Sequence, residues 1–271
     1  MELKDLQELV NHRLITEVGY YDHYKKNESE LSELTLDKLA NTGLIKQPAI
    51  TEVLVEKGIS ILPNNMIATA ADLLAELNAT GYAKLTNDIT LDDYIEIRNE
   101  AVIDLNGYTI LHPKTSPSKY PDVFEVMTGG KLTIEGEGKV IAENGYSVYA
   151  AGDSVVTING GEYFSPVSAV DARKNASVTI NAGTFKVDGS NNADGDFGQK
   201  FTLNLRDKVG NYASELSEIV VKGGKFWKYN PAASESEPEI TNFVADGYTS
   251  VADGDWFVVK ELEGIVVDDN Q

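Results

Sequence analysis

The sequence predicts an all-β repeat fold, on the strength of three observations. First, three segments, VTINGGEYF (Val156 to Phe164), VTINAGTF (Val178 to Phe185) and VVKGGKF (Val220 to Phe226), repeat one order: a β-branched pair, a polar residue, small residues, an aromatic. Second, weaker copies precede them, IDLNGYTI from Ile103 and LTIEGEGKV from Leu132, the latter with one extra residue. With Leu105, Ile134, Ile158, Ile180 and Val221 as equivalents, the spacings are 29, 24, 22 and 41 residues. The last is read as two turns of about 20, with the missing copy at Thr202 to Lys208. Third, another short strand precedes each bend: VFEV before Gly129-Gly130, VYAA before Gly152-Asp153, AVDA before Lys174-Asn175 and TLNL before Asp207. Short strands recurring at such a period cannot bury a face alone and must stack on their neighbours.

A strand-bend-strand unit that returns to the same place is one coil of a parallel β-helix, and parallel crossovers are overwhelmingly right-handed. The expected fold is therefore an all-β, right-handed parallel β-helix solenoid of about seven coils, a rod of about 30 to 35 Å at the parallel strand spacing. Val156, Ile158, Val178, Ile180 and Val220 are expected to point inward in one ladder, and Tyr163, Phe185 and Phe226 in another. Gly and Asn at the bends suit the positive φ of sharp corners.

The ends need covers, because an open coil offers unpaired backbone groups. Thr69 and Asp72 form a capping box ahead of Leu73, Leu74 and Leu77, predicting an N-terminal capping helix from about Ala70 to Asn78, stopped at Gly81. Tyr248 to Val259 predicts a C-terminal hairpin around an Asp-Gly turn. Three Pro-, Gly-, Ser- and Asp-rich stretches, His112 to Asp122, Asp188 to Gln199 and Asn230 to Glu239, are expected as surface loops. Residues 1–65 lack the repeat. They carry Leu3, Leu6, Leu9, Val10 and Leu14 at helical spacing and are expected to form a small, mainly helical attachment region ahead of the 66–271 β-helix.

The phrases ADLLAEL, AKLTNDITL, AVIDLNGYTI, GGKLTIEGEGKV, SVYAAGDSVVTINGGEYF and TNFVADGYTSV resemble single-chain right-handed β-helices of the pectate-lyase-like fold, over about residues 66 to 260. Proteins with such phrases occur among bacteriophage virion proteins, including head fibres and capsid decorations, and among bacterial surface proteins. The resemblance implies the fold more strongly than the activity, since this scaffold hosts lyases, hydrolases, adhesins and structural spikes.

Composition narrows the classes. With 23 Lys and Arg against 43 Asp and Glu, the net charge of −20 disfavours nucleic acid and anionic membrane surfaces. The absence of cysteine removes disulfides, thiolate metal sites and cysteine nucleophiles. The N-terminus has neither the basic start nor the apolar stretch of a secretory signal. The expectation is synthesis in a host cytoplasm and release by lysis.

An enzyme would start from Asp171, Arg173, Arg206 and Asp207, in equivalent stretches of neighbouring coils. The local lyase signatures of the resembled fold are not recognisable here, and these charges are expected on a solvated face. His12, His23 and His112 fit neither a metal site nor a triad. The Asp188 to Asp196 loop has oxygen ligands suited to calcium, but loop solvation is the expected role, so no metal or cofactor is assigned. Lys114, Tyr120, Tyr146, Trp227 and Tyr229 are the candidate glycan-contact residues, on loops or bends. The expected function is that of a non-enzymatic virion structural protein, a head fibre or capsid decoration. Residues 1–65 would bind other virion proteins, and a β-helix open to a host-surface polysaccharide would project outward, singly or as a homotrimer. The alternatives are a polysaccharide lyase or glycoside hydrolase on the same scaffold, and a bacterial surface adhesin.

Overall fold

A computed structural model describes residues 67–117, 122–188, 201–206, 216–237 and 239–262. The expected attachment region, with Leu3, Leu6, Leu9, Val10 and Leu14, lies outside the described residues, as do Tyr120 and Asp207.

The first element is helix α1 (Ala70–Thr80). Its capping box is formed: the Asp72 N–H donates to Thr69 Oγ1 at 3.1 Å, and the Thr69 N–H donates to Asp72 Oδ2 at 3.0 Å. Leu73 and Leu77 are buried, and Gly81 ends the helix in the left-handed region at φ 73, its N–H bonded to Leu77 O. The helix runs two residues past the expected Asn78, up to this glycine.

Strands follow in chain order: β1 (Tyr82–Lys84), β2 (Ile89–Thr90), β3 (Ile95–Ile97), β4 (Glu100–Asp104), β5 (Thr109–His112), β6 (Phe124–Val126), β7 (Lys131–Glu135), β8 (Lys139–Ala142), β9 (Val148–Ala151), β10 (Val155–Ser165), β11 (Val170–Arg173), β12 (Ser177–Val187), β13 (Leu203–Arg206), β14 (Glu218–Val221), β15 (Gly224–Trp227), β16 (Tyr248–Asp253) and β17 (Trp256–Glu261). The fold is predominantly β, and β1 to β15 pair in parallel. A first stack runs β1, β4, β7, the first half of β10, the first half of β12, then β14. A second runs β2, β5, β8, the second halves of β10 and β12, then β15. A third runs β3, β6, β9, β11, β13. The chain visits the stacks in the same cyclic order each time, an arrangement compatible with a β-helix-like solenoid.

Alternation builds the core. In the first stack Ala83, Ile103, Ile134, Ile158, Ile180 and Val221 are successive register partners, and all are fully buried. Two expectations are corrected by this register. Ile103, not Leu105, is the equivalent of Ile134, because the bend after β4 holds the extra residues. Val220 faces outward, half-buried, opposite Thr179, while Ile219 and Val221 point inward. The 41-residue interval is one passage rather than two, because β12 pairs directly with β14 and Leu203–Arg206 belongs to the third stack.

The second stack carries the aromatic ladder. Tyr163 and Phe185 stack with centroids 4.9 Å apart and planes 10° apart, and Phe185 and Phe226 at 5.0 Å and 7°. Gly183, at φ 128, makes the bend within β12, where an added Cβ would stand 3.1 Å from the Phe185 ring.

Each stack's last strand is covered. In the second, β15 pairs with β17 antiparallel, and β17 pairs with β16 in a hairpin whose loop is Gly254-Asp255, with Gly254 at φ 61. In the first, Val244 bridges Val221. In the third, Ser236 Oγ accepts the Leu205 N–H at 3.4 Å, and the Tyr229 hydroxyl donates to Leu203 O at 2.9 Å. The Asn230 to Glu239 stretch, expected as a surface loop, thus holds a 3₁₀ turn (Pro231–Ala233) and buries Ser234, Ser236 and Glu237 against the sheet end.

Candidate functional site

The third stack concentrates ionisable groups. Alternation turns Glu96, Glu125, Tyr149, Asp171 and Asn204 outward as register partners on successive strands. On β11 the outward residues are nevertheless as buried as the inward ones: Asp171 is 0% exposed and Arg173 7%. This corrects the expectation of a solvated charged face for these two residues, whereas Arg206 is half-buried and Asp207 lies outside the described residues. Arg173 Nε donates to Asp171 Oδ1 at 2.6 Å, and the Asn204 amide donates to Asp171 Oδ2 at 2.7 Å. The Arg173 guanidinium lies 4.8 Å from the Tyr149 ring centroid and 5.9 Å from that of Tyr146. Burial pushes the Asp171 carboxyl up, against the pull of Arg173; burial also works against the Arg173 charge, but Asp171 and the Tyr146 and Tyr149 hydroxyls outweigh it and raise the guanidinium.

Two further carboxyls flank this pair. Asp122 is buried, accepts the Tyr146 N–H at 2.7 Å, and is pushed up to about 7 by burial. Its carbonyl accepts from His112 Nδ1, whose Nε2 lies 2.9 Å from Ser116 Oγ. The two ends of the His112 to Asp122 stretch are therefore buried, a second correction to its reading as a surface loop. Glu125 is half-buried and also pushed up to about 7, by burial first and then by Glu96 and Asp93. Glu96 is held by Arg98, with Nε at 2.6 Å and a second nitrogen at 3.0 Å.

A second place lies at the end of the second stack. Lys186, Asp188, Thr202, Trp227, Lys228 and Tyr229 line a cleft of about 400 Å³. Trp227 meets Trp256 edge-on at 5.1 Å, held there by the β15–β17 pairing. A larger groove, of about 850 Å³, follows the glycine bends between the first two stacks. Two of its charged residues, Lys139 and Glu162, are paired at 3.5 Å, and seven of its lining residues are glycines.

The expected glycan-contact residues are scattered. Lys114 is exposed, with its N–H on Glu143. Tyr146 is buried beside Arg173. Trp227 and Tyr229 meet at the cleft, where the Tyr229 hydroxyl is spent on Leu203 O and Ser234 Oγ. Glu96, Glu125 and Asp122 were not singled out in the sequence, and only the register of the third stack places the two glutamates side by side. Among the described residues no group of three or more His, Asp or Glu is placed to hold a metal ion, and no helix is long and apolar enough to cross a membrane. No family model, curated protein or solved structure matches the chain.

Proposed function

We propose that the chain is a right-handed parallel β-helix of the pectate-lyase-like kind, six coils long over the described residues, and that it serves as a non-enzymatic virion structural protein. In this reading residues 1–65 dock it on another virion component and the β-helix projects as a head fibre or capsid-decoration spike that contacts glycans. The observation that carries the reading is the cyclic return of the chain through three parallel stacks whose last strands are covered. That construction is a stiff scaffold whose faces are available for display. The hydrogen bonding and burial of Asp171 and Arg173 favour a structural role for the charge cluster with the closest resemblance to catalytic residues. Antibodies against the protein, applied to gradient-purified particles from a producing culture, test the assignment. Labelled projections on particles are the expected result, and antigen confined to the particle-free fraction would refute it.

One observation favours a second reading, a glycoside hydrolase. Glu96 and Glu125 are register partners on one face, and a carboxyl raised to about 7 is suited to general-acid work. Release of reducing ends from a polysaccharide panel, abolished by Glu125→Gln, would establish it.

A further inference from the structure

We propose that the cleft beside Trp227 binds an acidic saccharide, a sugar ring carrying a carboxylate or sulfate. The proposal rests on the reading of the chain as a glycan-contacting scaffold and adds to it a place and a ligand class. Trp227 is half-buried, so part of its indole faces the cleft, where a sugar ring's C–H face can lie against it. The Nζ atoms of Lys186 and Lys228 stand 5.3 and 5.2 Å from the Trp227 ring centroid. Neither ammonium forms an ion pair with a carboxylate among the described residues, in a chain whose net charge is −20.

The backbone explains how both cations come to one ring. Lys186 follows Phe185, as Trp227 follows its register partner Phe226, so Lys186 sits one strand away from Trp227 on the same outward row. Lys228 is next in sequence to Trp227, and in an extended strand its side chain would point to the opposite face. Instead it adopts the left-handed region at φ 49, with its N–H bonded to Asp255 O at 2.8 Å, and this turns it back over the ring. Asp188 also lines the cleft, and Tyr229 contributes a second ring. The volume lies within the ~300–1,000 Å³ of small-molecule clefts. Two cations and two aromatic rings around one cleft favour a ligand with an apolar ring face and an anionic substituent over a neutral sugar.

Both tryptophans of the chain are at this place, so tryptophan fluorescence reads it directly. The full-length protein would be titrated with a hexamer of galacturonate, a heparin hexasaccharide and neutral maltohexaose, following fluorescence and calorimetric heat. At least one acidic probe is expected to give a saturable change, weakened about tenfold by Lys186→Met with Lys228→Met and by high salt, with maltohexaose at least as weak. Both substitutions are at exposed side chains, and an unchanged melting temperature would confirm the fold. Equal binding of neutral and acidic probes, both lost in Trp227→Ala, would overturn the acidic class and keep the glycan-contacting reading. Heat from an acidic probe that leaves fluorescence and the lysine variant unaffected would overturn this site alone. Silence from all three probes in both measurements would overturn the proposal and count against glycan contact altogether.

Discussion

Arg173 turns back along its own strand onto Asp171, so that Nε and one terminal nitrogen both lie 2.6 Å from the same carboxylate oxygen, with the two side chains 8% and 0% exposed. The other carboxylate oxygen is taken by Asn204 from the next strand. Taking one charge away leaves its partner buried without its closest counter-charge, which costs about 3–5 kcal/mol, whereas replacing both by apolar groups of similar volume is often neutral. Arg173→Met should therefore lower unfolding stability by about that much, and adding Asp171→Leu should restore most of it. Chemical denaturation of the single and double variants measures this. A loss below about 1 kcal/mol in the single variant would mean that the pair is solvated.

Asp122 makes stability depend on pH in an unusual direction for a carboxylate. Its folded value is raised by burial to about 7 from 3.8, so the folded state keeps a proton that the unfolded state has released. Between about pH 4 and 7 the folded state binds more protons, and stability falls as pH rises through this window, levelling above it. Glu125, raised in the same sense but only half-buried, adds a smaller contribution. The melting temperature should thus be higher at pH 5 than at pH 8, and Asp122→Asn should shrink that difference. A difference unchanged by the substitution would assign the dependence to other groups.

Ile180 lies in register with Ile158 and Val221 and is fully buried, while its neighbour Thr179 faces out between Thr157 and Val220. Ile180→Asp should cost several kcal/mol, enough to threaten folding, because the carboxylate meets only apolar partners. Thr179→Asp should cost under about 1 kcal/mol. Thermal melts of the two variants check the contrast, and similar melting temperatures would place both residues on the same face.

The first-stack ladder, the aromatic ladder, the helix cap and the hairpin were legible because each rests on local order. Alternation sets Ile158 above Ile180, spacing sets Tyr163 above Phe185, and a capping box names its own residues. What misled was the bend. A loop of unknown length between two strands shifts the apparent equivalence, so Leu105 stood in for Ile103, and the long insertions on either side of β13 read as an extra turn. The burial of Asp171, Arg173 and His112 was illegible for a different reason. Alternation tells which side chains leave the core, but whether another part of the chain then covers them is a tertiary fact. The meeting of Lys186, Trp227 and Lys228 likewise needed the register of β12 with β15 and the left-handed backbone at Lys228.

The central claim is that each passage of the chain lies directly on the one before it, in register. Thr133, Thr157 and Thr179 form one outward row of register partners, and the chain has no native cysteine to compete with introduced ones. Neighbours in the row should be ~4.8 Å apart and alternate members ~9.6 Å. Cysteine pairs treated with dibromobimane, which bridges and fluoresces only when two thiols are a few ångströms apart, read this spacing in solution. The account predicts strong bridging in Thr133→Cys with Thr157→Cys and in Thr157→Cys with Thr179→Cys, and little in Thr133→Cys with Thr179→Cys. Bridging of the outer pair with none in either adjacent pair would contradict the stacked register on which the fold and its proposed function rest.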